Sequence, residues 1–430
     1  MFERFFMLLI WVEFVLLPRM NFLYNILVFL TSIILQCVAI FNKKIKLFID
    51  GRKETFTKIS TLSRDDKVVW IHAASLGEFE QARPIIENIK AQYATYKIVV
   101  TFFSPSGYEV RKDYHLADII CYLPLDSKSN ARKFISIVNP ELVIFVKYEF
   151  WPNLLNELKR KEIKTILISG ILREKQVFFK WYGHFMRNAL NAFDHFFVQN
   201  TVSEKLLKSI HYNNVTVAGD TRFDRVYEIL QQDNSLDFIN EFKNNQYTVV
   251  AGSTWKEDEE LLVHYINNEA PASEKFIIAP HNINQKGIDD LRKSILKKTV
   301  LYSNRKQVTL QDCQVFIVDT IGILTKIYSV ADVAYVGGGL KTGLHNILEP
   351  ATFGIPVVIG HQFEKFKEAV DLVELKGCIS IQNQDQFSSI FTRLKSDENY
   401  RKLTGEINAT YIQEHLGATK KIMNYLKLKL

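Results

Sequence analysis

At 430 residues the chain is longer than one typical core, so two domains are expected. Hydrophobic residues at 47% and charged residues at 23% exclude a disordered or fibrous chain. A formal charge of +7 favours acidic partners, either anionic lipid or phosphorylated substrates. Nucleic acid is not expected, since there is no zinc spacing, helix-turn-helix signature or basic-aromatic repeat.

The N-terminus departs from this soluble pattern. Residues 1–19 form an apolar patch broken by Glu13, Pro18 and Arg19, and Met20 is a second candidate start. Phe22 to Phe41 is an uncharged run long enough to cross a bilayer once. Lys43, Lys44, Lys46, Arg52 and Lys53 follow, and the positive-inside rule then places the remaining chain in the cytoplasm. The run is too long for a signal peptide and lacks a small-residue cleavage site. Asn25, Thr31, Ser32 and Gln36 lower its hydrophobicity and keep open a second reading, an anchor lying in the interface. Residues 1–50 are assigned to anchor and basic flank.

Residues 51–225 alternate short β-branched runs with amphipathic stretches. Strands are expected at Val68–His72, Ile98–Phe102, Ile119–Leu123, Leu142–Val146, Thr165–Ser169, Phe196–Gln199 and Val215–Ala218. Helices are expected at Glu78–Tyr93, Trp151–Lys161 and Gln176–Phe193. The first strand ends near His72, and the turn with Ser75 and Gly77 leads to Glu78 at a helix start. A carboxylate there suits a general base. It equally suits the helix dipole, which lowers its pKa unless burial or a like charge such as Glu149 offsets the effect. Thr101 and Ser104, near the SPSG turn, join Ser75 and Gly77 as acceptor-side candidates, with helix capping the plainer role for the SPSG hydroxyls. Arg222, in GDTRFDRV, reaches a developing negative charge or simply pairs with Asp220 or Asp224.

Residues 226–245 are polar and read as a hinge, and residues 246–430 as the second domain. Its strands are expected at Thr248–Ala251, Phe276–Ala279, Val315–Val318, Val333–Val336 and Val357–Ile359, and the stretch from Asn399 to Leu430 as closing helix. Ser253 and Thr254 follow the first of these strands, Pro280 and His281 the second, and Ile321, Gly322 and Ile323 the third. After the fourth comes Gly337-Gly338-Gly339, then His345, Asn346, Ile347, Leu348 and Glu349. The glycines allow close backbone approach, the expected helix start suits a phosphate, and Glu349 suits sugar hydroxyls.

The rhythm implies α/β architecture with two doubly wound parallel sheets and a cleft between their carboxyl edges. No D-x-D, paired histidines at metal spacing, P-loop or G-x-S-x-G occurs, so no metal, ATP chemistry or serine hydrolysis is expected.

Taken together, HAASLGEFEQARPII, TFFSPSG, LPLD, EFWPNLL, GDTRFDRV, GSTWKEDEE, DTIGILTKIYSVADVAYVGGG and HNILEPATFGIPVVIG resemble, in order and spacing, the Kdo (3-deoxy-D-manno-octulosonic acid) transferases. These are GT-B glycosyltransferases of lipopolysaccharide assembly, with two Rossmann-like domains. The resemblance covers the chain from about Met20. It implies inverting transfer of Kdo from CMP-Kdo to a lipid A precursor at the cytoplasmic face of the inner membrane, without metal, cofactor or obligate protein partner. It puts the catalytic base on Glu78 and transition-state stabilisation on Glu149 and Arg222. The CMP contacts fall on Pro280 and His281, Ile321 to Ile323 and Asn346 to Glu349. Three positions depart from the family's usual residues: His281 stands for Arg, Ile323 for Glu and Arg222 for Lys. The rival readings are another GT-B enzyme, such as a UDP-sugar transferase or UDP-sugar 2-epimerase, and a non-catalytic membrane-tethered nucleotide-binding paralogue.

Overall fold

The computed structural model describes residues 17–427. The greater part of the first apolar patch, residues 1–16, lies outside them, as do residues 428–430. The chain forms two compact units, Met1–Arg225 with Gly417–Leu430, and Val226–Leu416.

The first unit holds β1 (Val68–Ala73), β2 (Lys97–Phe102), β3 (Ile119–Tyr122), β4 (Leu142–Val146), β5 (Lys164–Gly170), β6 (His195–Val198) and β7 (Val215–Val217). They run parallel in the order β3-β2-β1-β4-β5-β6-β7. Every residue of β1 is buried, as a central parallel strand with helices on both faces requires. Its side chains alternate between two cores. Val69 and Ile71 join Ile85, Ile86 and Ile89 of the helix Leu76–Gln92, while Val68 and Trp70 join Phe134 and Leu155 of the helices Lys128–Val138 and Pro152–Arg160.

The second unit holds β8 (Tyr247–Thr254), β9 (Glu274–Pro280), β10 (Thr299–Leu301), β11 (Val315–Ile317), β12 (Val333–Val336), β13 (Val357–Gly360) and β14 (Cys378–Ile381), ordered β10-β11-β9-β8-β12-β13-β14 and again parallel. In each sheet the order reverses once, between β1 and β4 and between β8 and β12. The crevice beyond the strand ends at such a switch point is where open α/β sheets bind ligands.

Several expectations are corrected. β10 and β14 are additional strands, each of three or four residues with polar flanks and hence little periodic signal. The helix expected over Gln176–Phe193 is a 3₁₀ turn, Val177–Phe179, and a helix, His184–Leu190. Gly183 separates them, where a Cβ would lie 1.8 Å from the Val177 carbonyl. The presumed hinge over 226–245 is folded into the second unit: helix Asp237–Lys243 buries Ile239 and Phe242 completely. The terminal helix breaks at Gly417 (φ 103°) into Glu398–Glu414 and Ala418–Leu426. The second piece belongs to the first unit, so the domain expected to run from 246 to 430 ends at Leu416.

Candidate functional site

In the first unit the switch point carries two carboxylates. Ser75 is the N-cap after β1, and Gly77, expected in the turn, lies with Glu78 in the first turn of the helix Leu76–Gln92. Glu78 is buried, and its Oε2 accepts from the Ser75 amide (2.8 Å) and hydroxyl (3.0 Å). Glu149 follows β4. Its Oε2 accepts from Trp151 Nε1 at 3.0 Å and lies 3.5 Å from Nε2 of the fully buried His72. Burial, and next the charge of Glu149, raise the Glu78 pKa above the ordinary carboxylate value, against the lowering pull of Ser75 and Lys147. The same two carboxylates help raise the phenol of Tyr148, after burial. Lys147 takes a left-handed φ of 71°, a strained conformation at the end of β4. An added Cβ at exposed Gly77 would meet no atom within 4 Å, so the floor beside Glu78 is open.

Arg222 is held away from simple exposure. Its backbone amide donates to Asp220 Oδ1, and its guanidinium to Oδ2, each at 2.9 Å. Asp220 is buried and also accepts from Gln81, one turn beyond Glu78, and from Gln199. The pairing with Asp220 is therefore present, as a buried network tied to the Glu78 helix.

In the second unit, Asp258 organises the loops of the switch point. This buried carboxylate accepts from Tyr335 Oη (2.7 Å), the Gly338 amide (2.9 Å) and the Trp255 amide (2.9 Å). Beside it, His281 stacks on Trp255 (ring centroids 4.7 Å) and on His345 (4.3 Å), and Trp255 Nε1 donates to His345 Nε2 at 2.9 Å. That bond assigns the His345 ring proton to Nδ1. Burial, then the neighbouring His281, bring the His345 pKa down to about 4, and burial lowers His281 as well. Both rings are neutral near pH 7. Glu349 accepts from Thr325 Oγ1 (2.7 Å) and Asn346 Nδ2 (3.0 Å), which joins the short helices Leu324–Ile327 and Leu348–Thr352 that follow β11 and β12. Among the described residues no group of three or more His, Cys, Asp or Glu is gathered as a metal would need.

Not every expected residue faces solvent. Thr101 is fully buried, with its hydroxyl taken by Trp70 and His72, so it positions His72 and cannot meet an acceptor. Ser104 starts the helix Pro105–Arg111 without a side-chain cap; its hydroxyl meets Ser106. Thr254 is buried on Glu259, and Ile347 and Leu348 pack inward. The amide of Gly338, expected to seat a phosphate, donates to Asp258, and Gly339 is packed against Gly360. The helix expected to begin one turn before Glu349 begins at Leu348 and spans five residues. Ser253, Pro280, His281, Ile321, Gly322, Ile323, His345, Asn346 and Glu349 remain at the accessible edge. Ser253 is strained at φ 53° in a bulge of β8. His72, Lys147, Tyr148, Trp255, Asp258 and Thr325 were absent from the sequence-based candidates. The one available signal was position, since His72, Lys147 and Trp255 lie at or just beyond strand ends beside the switch points.

Residues 50–225 match the family model of the 3-deoxy-D-manno-octulosonic-acid transferases (kdotransferases). The chain is 26% identical over 372 residues to the 3-deoxy-D-manno-octulosonic acid transferase of Haemophilus influenzae, covering 84% of this chain and 86% of that one. The enzyme of the same name from Aquifex aeolicus is 27% identical, with 80% and 92% covered. Among solved structures, the UDP-GlcNAc 2-epimerase of Neisseria meningitidis superposes with a TM-score of 0.57 at 16% identity, over 84% of this chain and 99% of that one. An epimerase-like structure from Listeria monocytogenes gives 0.55 at 11%, over 84% and 96%. At such identity the structural likeness establishes the GT-B type of fold alone.

Proposed function

We propose, because the chain belongs to the Kdo transferase family of lipopolysaccharide-building glycosyltransferases, that it moves Kdo from CMP-Kdo to a lipid A precursor (lipid IVA) with inversion and without metal or cofactor. The observation that carries this reading is the Glu78–Glu149 pair at the first switch point, with Glu78 raised in pKa by burial and by Glu149. A base needs a pKa closer to neutrality than an ordinary carboxylate has. Both Ser75 bonds fall on Oε2 and fix the carboxylate, which directs Oε1 to the acceptor.

In the proposed step Glu78 takes the proton of a glucosamine 6-hydroxyl as that oxygen attacks the anomeric carbon of Kdo. The bond to the CMP phosphate oxygen breaks, and its electron pair leaves with CMP. Glu149 and the Asp220-held Arg222 act on charge developing around the sugar, and Ser75 with the open floor at Gly77 receives the acceptor. On the donor side, Trp255, His281 and His345 offer a stacked, uncharged surface suited to a flat base. Asn346 and Glu349 suit hydroxyls. The apolar helix and its basic flank support a location at the cytoplasmic face of the inner membrane.

The test is incubation of purified protein with CMP-Kdo and a tetra-acylated lipid A precursor in chelator, followed by mass spectrometry of the lipid. A gain of one or more Kdo units supports the reading. No gain with CMP-Kdo bound overturns the acceptor or the catalysis, and absence of binding overturns the donor. Glu78→Gln is expected to cut turnover by about 10²- to 10⁴-fold with CMP affinity unchanged.

A further inference from the structure

The helix Leu17–Ala39 meets the first unit along one stripe. Tyr24, Val28, Ser32, Leu35 and Ala39 are partly covered, at the spacing of three and four residues that defines one helix face. The rest of its circumference is exposed and, apart from polar residues such as Thr31 and Gln36, apolar, including Phe22, Leu23, Leu27, Phe29, Leu30 and Ile34.

This element is tied to the same unit at two levels. Two turns into the helix, Tyr24 Oη donates to buried Asp126 at 2.8 Å, and Asn153 Nδ2 donates to Asn25 Oδ1 at 3.2 Å. Just past its end, the helix Lys43–Lys53 is seated. Phe48 is buried, Arg52 donates to the Phe103 carbonyl at 2.8 Å, and Gly51 lies so close to the Tyr122 ring that a Cβ would reach 2.2 Å. A helix of 23 residues is about 34 Å long, enough to cross a bilayer. Crossing, however, needs about 30 Å of hydrocarbon free of protein along the helix, whereas here the stretch from Tyr24 to the end of the helix is held at both limits by one folded body.

We infer that this helix is a monotopic anchor, lying in the plane of the membrane surface with its inner stripe docked on the first unit. Its occupant is a leaflet containing anionic lipid. The exposed apolar face enters the acyl boundary, and the exposed Lys43, Lys44 and Lys46 at its end meet the head groups. Asp126 links this dock to the catalytic loop. It also accepts from the amides of Asn153 and Leu154, and so caps the helix that begins three residues after Glu149. The inference rests on the membrane location proposed above, and of the two anchor readings left open by the sequence it takes the surface-bound one.

The test uses the full chain with exposed Cys37 changed to serine and vesicles of phosphatidylcholine with phosphatidylglycerol. Asn25→Cys with Asn153→Cys is expected to cross-link within one chain, through a short bismaleimide, on floated vesicles. Loss of that cross-link on membrane binding would overturn the flat arrangement. Independently, an environment-sensitive probe on Phe22→Cys, Phe29→Cys or Ile34→Cys is expected to be quenched to one shallow depth by lipid-borne quenchers; a deep Phe29 between shallower flanks means a spanning helix. A cross-link between chains means that a second copy covers the face, which also overturns the proposal. Changing Lys43, Lys44 and Lys46 to glutamine is expected to weaken anionic-vesicle binding by about fivefold per lysine. If the unmodified chain does not float at all, the membrane location itself falls.

Discussion

Glu78 stands at a helix N-terminus and accepts two bonds from Ser75, both of which favour its charged form. Burial and Glu149 act in the other direction and prevail. Since a base works ionised, kcat/KM should rise with pH through a pKa above the ordinary carboxylate value. Glu149→Gln removes the like charge, so the acid limb should move to lower pH, though not fully, because burial remains; a pH profile of the variant checks this. On the donor side, Trp255→Phe removes the bond to the neutral His345 ring, so that ring should protonate more easily. Its NMR titration should move up from about 4. The same depressed value carries a stability consequence. The unfolded chain takes this proton near 6.5 and the folded chain near 4, so the His345 contribution is present above about 6.5 and lost as pH falls toward 4.

At the scale of elements, two turns show different demands on glycine. Gly417, at φ 103°, has open space where a Cβ would sit, so Gly417→Ala should cost only the backbone term, about 1–2 kcal/mol. Gly338, at φ 89°, would place a Cβ 2.2 Å from the Gly343 carbonyl oxygen. Gly338→Ala should therefore cost about 3 kcal/mol, from strain plus overpacking, and should loosen the Asp258-pinned loop. Urea unfolding of the two variants measures the difference. The bulge at Ser253 and the left-handed Lys147 put similar strain at the ends of β8 and β4, beside the candidate residues.

At the scale of the whole molecule, the chain leaves its first unit at Arg225 and returns to it at Gly417. The returning helix places fully buried Ile422 and Leu426 against the Ile85 and Ile86 face of the first core. Leu426→Ala should cost about 2–5 kcal/mol. Hydrogen exchange should show the lost protection in β1 and β2 and leave β8 and β12 unchanged.

Much of this was legible in the residues. VVWIHA reads as a central strand because both of its faces are apolar, and glycines and prolines mark the strand ends where ligands of such sheets bind. The motif order pointed to the family, and the spacing of Glu78 and Glu149 put both beyond strand ends. Sequence alone did not decide which side chains meet. Thr101 looked available to an acceptor, yet strand pairing sets it on Trp70 and His72. Trp255 and His345, 90 residues apart, meet because β8 and β12 are neighbours in the sheet. Local patterning thus determined the elements and their chemistry, since periodicity and turn residues act over a few positions. Tertiary structure decided burial, partners and protonation, because these depend on strand order and on which distant groups share a low-dielectric space.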